Sequence, residues 1–150
     1  MPVVNNELYA NPESVLARKN QEDPWIMYLI VRESLKMSPG KIAAQVGHGV
    51  GIIYNHYSHL KDVRSGAIGE RWLHLQSKIG HFDSWQNQSF RKIVLRASDK
   101  EWEKLKRQLE CFLVADAGLT EVEAGSETVI ALWPMLKSSA PPLVKRLQTL

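Results

Sequence analysis

The sequence predicts an α/β sandwich: a small mixed sheet with helices on both faces. Three observations predict it. Short, mostly apolar runs of strand length recur at residues 27–31, 92–96, 112–114 and 128–133. Segments whose apolar residues repeat at helical spacing separate the first three runs. The last two runs are divided only by a turn-rich stretch, so one adjacent strand pair joins an otherwise alternating order.

Taken in order, residues 1 to 24 form a polar N-terminal extension, and residues 25 to 150 form the domain. The extension carries one short helix, residues 12–19, with Asn11 as N-cap and Pro12 in the first turn. Met27, Tyr28, Leu29, Ile30 and Val31 make a buried strand. A loop over residues 33–40 leads into a helix whose face is Ile42, Val46, Val50, Ile53 and Tyr57. Gly47, Gly49 and Gly51 each cost that helix about 1 kcal/mol relative to alanine, so either something packs very close to it or it is imperfect there. The next helix turns Ile68, Trp72, Leu75 and Ile79 inward, and residues 81–89 read as loop. Ile93, Val94 and Leu95 centre the second strand. Ser98 and Glu101 form a capping box that opens a helix with Trp102, Leu105 and Leu109 on one face. Phe112, Leu113 and Val114 return to strand, and Asp116, Ala117 and Gly118 turn it. Pro134 closes the last strand. Pro141 and Pro142 start a final helix carrying Leu143, Leu147 and Leu150.

Bulk properties bound the function. At 150 residues the chain fits one domain with a real core, and 44% hydrophobic with 23% charged residues excludes a disordered chain. Cys111 is the single cysteine, so no intrachain disulfide forms, which suits a reducing compartment. No signal-peptide layout and no membrane-length apolar run is present, so the expected location is cytoplasmic, without a membrane partner. A net charge of +3 permits a nucleic-acid partner without requiring one. The basic residues are spread out, with Arg32, Lys36 and Lys41 early and Arg91, Lys92, Arg96, Lys104, Lys106 and Arg107 later.

Two clusters can carry chemistry. The first is Lys36-Met37-Ser38-Pro39-Gly40-Lys41-Ile42-Ala43-Ala44-Gln45, followed by His48. On a helix Lys41, Gln45 and His48 share one face near its start. A helix N-terminus beside a lysine attracts anions such as phosphate, although the same residues also suit an ordinary solvated stripe. No Ser or Thr follows Gly40-Lys41, so this is not a Walker A loop. Gly47, Gly49 and Gly51 lack the dinucleotide-binding spacing. The second cluster is Asp116-Ala117-Gly118-Leu119-Thr120 with Gly125-Ser126-Glu127-Thr128-Val129. If residues 120–128 fold back like a hairpin, a carboxylate and two hydroxyls converge in a pocket suited to orienting water or ribose hydroxyls. The histidines His56, His59, His74 and His81 lack metal-ligand spacing, so no metal or cofactor is expected. Cys111, beside Phe112 and Leu113, reads as a small core residue. Trp25, Trp85 and Trp133 either pack or stack on a base.

Together and in this order, these blocks resemble the type 2 peptidyl-tRNA hydrolase family, from about Trp25 to the C-terminus and including the approach from Trp85 to Lys92. The resemblance implies a four-stranded mixed sheet flanked by helices, a homodimer, and peptidyl-tRNA as the partner, whose peptide–tRNA ester is hydrolysed. It places the active-site lysine, aspartate and two threonines at Lys41, Asp116, Thr120 and Thr128. Lys36, Gln45 and His48 fall on substrate-binding motif positions. Asp116 would orient the attacking water or act as base, Lys41 would meet phosphate or the oxyanion, and the threonines would hold water or ribose. The sequence departs from the family in four places. Pro39 replaces lysine or glycine, Trp133 replaces a glycine before Pro134, Gly49 and Gly51 replace alanine or other small helix formers, and the stretch before Asp116 is a few residues shorter. Trp133 is the feature that most favours the alternative, a non-catalytic RNA-binding or protein-interaction module on the same fold.

Overall fold

The computed structural model describes residues 12–19, 21–119 and 121–150. Helix α1 (Pro12–Lys19) precedes strand β1 (Trp25–Arg32). Helices α2 (Pro39–Ser65) and α3 (Gly69–Ser84) then lead to β2 (Arg91–Ala97). Helix α4 (Asp99–Gln108), β3 (Phe112–Ala115), β4 (Glu127–Ala131), β5 (Met135–Leu136), α5 (Pro142–Lys145) and β6 (Gln148–Thr149) complete the order. Among the described residues no helix is long and apolar enough to cross a membrane. The expected Asn11 cap of α1 lies outside the described residues.

The sheet runs β3-β4-β1-β2-β6, and β5 also pairs with β1. Among the described residues only β1 and β2 are parallel, in register from Ile26 opposite Arg91 to Arg32 opposite Ala97. The other pairs are antiparallel, so the sheet is mixed as expected. It has six strands rather than four because two two-residue strands, β5 and β6, extend it.

The physical logic lies in β1. Its near-continuous apolar run is buried on both faces, and its alternation divides the core in two. Met27, Leu29 and Val31 face one cluster, with Val129, Ala131 and the inner residues of α2 and α3. Ile26, Tyr28 and Ile30 face the other, with Trp102 and Leu105 of α4 and Val144 of α5. Helices therefore cover both faces. The capping box at Ser98 is complete: Glu101 N–H donates to Ser98 Oγ at 3.3 Å, and Ser98 N–H donates to Glu101 Oε2 at 2.8 Å.

Three local expectations are corrected. Residues 81–89 are not loop, because α3 continues to Ser84 and a π-turn runs Trp85–Ser89. Phe82 and Trp85 drive this, since both are fully buried and each needs the helical phase to reach the core. The inward stripe of α3 is Leu75, Ile79 and Phe82, whereas Ile68, which precedes the helix as its N-cap, and Trp72, in its first turn, are exposed. At the C-terminus, α5 stops after four residues and the chain pairs with β2 instead, Leu150 N–H donating to Val94 O at 3.0 Å. Leu147 is still buried, but Leu150 is exposed.

Trp133 packs. It is 8% exposed, its Nε1–H donates to Lys78 O at 2.8 Å, and its ring meets His56 and Phe82 at centroid distances of 5.6 and 5.7 Å.

Candidate active site

Ser38 starts α2. Its extended backbone and side chain cap the helix, accepting Lys41 N–H at 3.3 Å, and Pro39 follows at N1, where its missing N–H costs nothing. The helix thus begins earlier than the sequence indicates, with Lys41 in its first turn and Gln45 one turn on. Gly49 lets this helix lie close on the sheet: a Cβ there would sit 3.0 Å from Leu29 Cδ2 and 3.4 Å from Val129 Cγ1. Close approach is what brings Lys41 and Gln45 to the ends of β3 and β4.

Asp116 follows β3 directly. Its N–H donates to Ser126 O at 2.9 Å and its carbonyl accepts Gly125 N–H at 2.8 Å, closing the β3–β4 connection at its base. Gly118 adopts φ +76°, and a Cβ there would come within 2.4 Å of Ala124 N, so no other residue fits. Its N–H donates to Asp116 Oδ2 at 2.6 Å, fixing the carboxylate plane.

The side chains form a linked series. Lys41 Nζ donates to Asp116 Oδ1 at 2.5 Å, and Gln45 Nε2 donates to the same oxygen at 2.9 Å. Thr128 Oγ1 donates to Gln45 Oε1 at 2.6 Å. An ionised carboxylate only accepts, so Asp116 dictates which end of the Gln45 amide faces it, and that in turn makes Thr128 the donor. Asp116 is 8% exposed, Gln45 2% and Thr128 0%. The lysine beside Asp116 holds its carboxyl below the ordinary carboxylate range, helped by the Gly118 and Gln45 hydrogen bonds against the opposing effect of desolvation.

This series forms one wall of an open cleft of about 840 Å³ between α2 and the β3–β4 loop, which His48, Asn55, Leu119 and Glu121 also line. Of the residues singled out in the sequence, Lys41, Gln45, His48 and Asp116 line it together. Thr128 is beneath the surface and reaches it only through Gln45. Lys36 is exposed and does not line it. Thr120 lies outside the described residues. The sequence reading missed Glu121, whose Oε2 accepts Ser38 N–H at 2.8 Å and whose Oε1 accepts the Ser38 hydroxyl. The sequence reading left Ser38 in the loop over residues 33–40, and nothing local pointed to a partner 83 residues away. Among the described residues no group of histidine, cysteine or carboxylate side chains is placed to hold a metal ion.

A family model described as peptidyl-tRNA hydrolase PTH2 matches residues 25–150. This chain belongs to that family. It is similar to the peptidyl-tRNA hydrolase of Methanopyrus kandleri, 38% identical over 112 residues, covering 71% of this chain and 81% of that one. It is also similar to the probable peptidyl-tRNA hydrolase 2 of Drosophila melanogaster, 37% identical over 118 residues, covering 75% and 54% of the two chains. The peptidyl-tRNA hydrolase of Thermococcus sibiricus is 33% identical over 112 residues, covering 71% and 80%. The family-model match ends where the described chain ends and begins at the first residue of β1.

Proposed function

We propose that this cleft hydrolyses the ester joining peptide to tRNA in peptidyl-tRNA, with Asp116 and Lys41 at the reacting atoms and Gln45 and Thr128 positioning them. The observation that carries the reading is the series Thr128–Gln45–Asp116–Lys41, which opens at its charged end into the cleft. In the reaction, water attacks the acyl carbon, the carbonyl oxygen gains negative charge, and a proton from that water passes to the ribose oxygen as it leaves. Lys41 supplies fixed positive charge for the developing oxyanion, in a site already organised before substrate arrives. Asp116, held below its ordinary range, binds a proton less readily, which favours orienting the water over storing its proton. Thr128 acts through Gln45. It fixes the amide that steadies Asp116 and does not itself touch substrate. Thr120 belongs to the proposal as the hydroxyl that holds water or ribose. His48 and Lys36 belong to it as groups that meet the tRNA portion, His48 from the cleft wall and Lys36 from the exposed approach to α2.

The substrate is polyanionic, and the chain's net charge of +3 suits it. A cytoplasmic location and a homodimer complete the proposal. A lone cysteine supports the first, and the exposed Ile68, Trp72 and Leu73 at the start of α3 support the second. Light scattering tests the dimer. The sequence argument for a non-catalytic module rested on Trp133, and nearly all of that ring is covered.

The deciding experiment measures release of an N-acetylated amino acid from tRNA. The wild type releases it, and Asp116→Asn, which keeps the shape and removes the charge, lowers the rate by about a hundredfold or more. Full activity in Asp116→Asn would remove Asp116 from the mechanism.

A further inference from the structure

We propose that Glu121 is a positioning residue for this reaction: by gripping Ser38 it clamps the loop that begins at Asp116 onto the first turn of α2, and so sets Asp116 and Lys41 relative to one another. The proposal rests on the hydrolase reading above.

The clamp has a directional chemistry. Glu121 accepts both the N–H and the O–H of Ser38. The same Ser38 oxygen caps α2 by accepting Lys41 N–H. A hydroxyl has one proton, and Glu121 takes it, so the carboxylate fixes the direction in which the Ser38 lone pairs meet the Lys41 backbone. At the base of the loop, Lys41 and Gln45 hold Asp116. Residues 116–126 are therefore tied to α2 at two levels, through Asp116 at the base and through Glu121 at the tip. Val122 adds core packing, which resists separation but specifies no direction. Leu119, between the two ties, is 87% exposed and contributes no anchor of its own. A purely structural carboxylate at a helix N-terminus would stabilise the helix and nothing more. A positioning residue must alter turnover.

The test compares the wild type with E121A, E121Q, S38A and the S38A/E121A double variant. Two readouts are taken: kcat and KM for release of an N-acetylated amino acid from tRNA, and amide hydrogen exchange. E121A should lower kcat about tenfold to a hundredfold with a smaller change in KM, the scale expected when reacting groups are displaced slightly. E121Q should recover only part of the loss, because glutamine still accepts Ser38 N–H through its oxygen while its nitrogen donates to Ser38 Oγ and no longer fixes the direction of that hydroxyl. The double variant should be no worse than the poorer single one, since both break the same link. In E121A the Ser38 amide and the amides of residues 116–126 should exchange faster, with β1 and β4 unchanged. A variant that lowers only the melting temperature, leaving kcat and KM as they were, overturns the proposal. So do additive losses in the double variant, or unchanged exchange in the loop. If wild type releases nothing from tRNA, the hydrolase reading fails by itself, and the exchange experiment alone then decides whether the clamp exists.

Discussion

Of the four glycines in α2, Gly49 sits in surroundings unlike those of Gly47 and Gly51. At Gly49 a Cβ would press on Leu29, Val129 and Ala131, and Leu29 is fully buried with little room to yield. At Gly47 and Gly51 a Cβ would meet nothing within 4 Å, and both positions line the cleft. Alanine at Gly51 should therefore stabilise the protein by up to about 1 kcal/mol, the ordinary helix-propensity gain. At Gly49 the same gain is offset by an overpacking cost of about 1–3 kcal/mol, so Gly51→Ala should unfold at higher urea than Gly49→Ala. Equal midpoints would mean that the approach of helix to sheet is looser than described. Trp133 gives a second test at this scale. Its ring is enclosed by Phe82, His56 and Phe112, and its N–H is satisfied by Lys78. Trp133→Ala should cost about 3–5 kcal/mol in denaturant unfolding, and near-normal stability would contradict packing. Single residues also show where sequence reasoning reaches its limit. Lys41, Gln45 and Asp116 were legible because a shared face near a helix start and a turn after a strand are local patterns. The partners of Thr128 and Glu121 lie 83 residues away in each case, so neither the burial of one nor the grip of the other could be read before helix and strand were brought together.

At the level of elements, the hairpin of α2 and α3 covers one sheet face and supplies one side of the cleft. Two side-chain clips hold it: Tyr57 Oη donates to Asp83 Oδ1 at 2.5 Å, and Arg64 donates to Gln76 Oε1 at 2.5 Å. Tyr57 also stacks on Phe82 with centroids 3.9 Å apart. Desolvation, then the Asp83 hydrogen bond, pushes the Tyr57 hydroxyl up to about 12 from 10.0. A raised pKa means that this group's contribution is fully present below pH 10 and is lost as pH rises through about 12. Tyr57→Phe should cost about 1 kcal/mol, the usual net worth of one such hydrogen bond. It should also abolish the latest-ionising phase in a spectrophotometric alkaline titration, and a titration curve that keeps that phase would reassign it. This hairpin explains an error in reading the sequence as well. Residues 81–89 are polar enough to look like loop, yet Phe82 and Trp85 are three positions apart and only a continued helical phase buries both. The short α5 shows the opposite case. Leu143, Leu147 and Leu150 have helical spacing, but the open edge of β2 offers backbone hydrogen bonds, and the chain takes them.

The whole molecule is held on either side of β1 by apolar packing, while carboxylates tie its outer segments together. Ser138 holds the Asp23 carboxyl below its ordinary range, linking the chain before β1 to the segment after β5. Ser34 and Arg32 do the same for Asp99, linking α4 to the end of β1. Lys106 and Trp102 lower Glu127, linking α4 to β4, and Lys78 lowers Glu110. Lys41 lowers Asp116 and Ser38 lowers Glu121, linking the cleft loop to α2. All six shifts have one sign. A carboxylate depressed on folding contributes stability that is present above its ordinary value, 3.8 for aspartate and 4.5 for glutamate, and is lost as pH falls through the lower folded value. Urea midpoints should therefore begin to fall below about pH 6.5, because burial holds the His56 and His81 imidazoles below their ordinary value, and should fall more steeply below about pH 5 as the carboxylates protonate. Exposed pairs such as Arg32 with Asp99 should contribute little to that fall, because solvent screens them. Glu127 is more enclosed, accepting from both Lys106 and Trp102, so Glu127→Gln should lower the midpoint at neutral pH and make the acid fall shallower. Asp99→Asn should change either much less. A midpoint that rises on acidification, or an Asp99→Asn effect as large as that of Glu127→Gln, would show that the outer segments are not held by these carboxylates in the way their geometry requires.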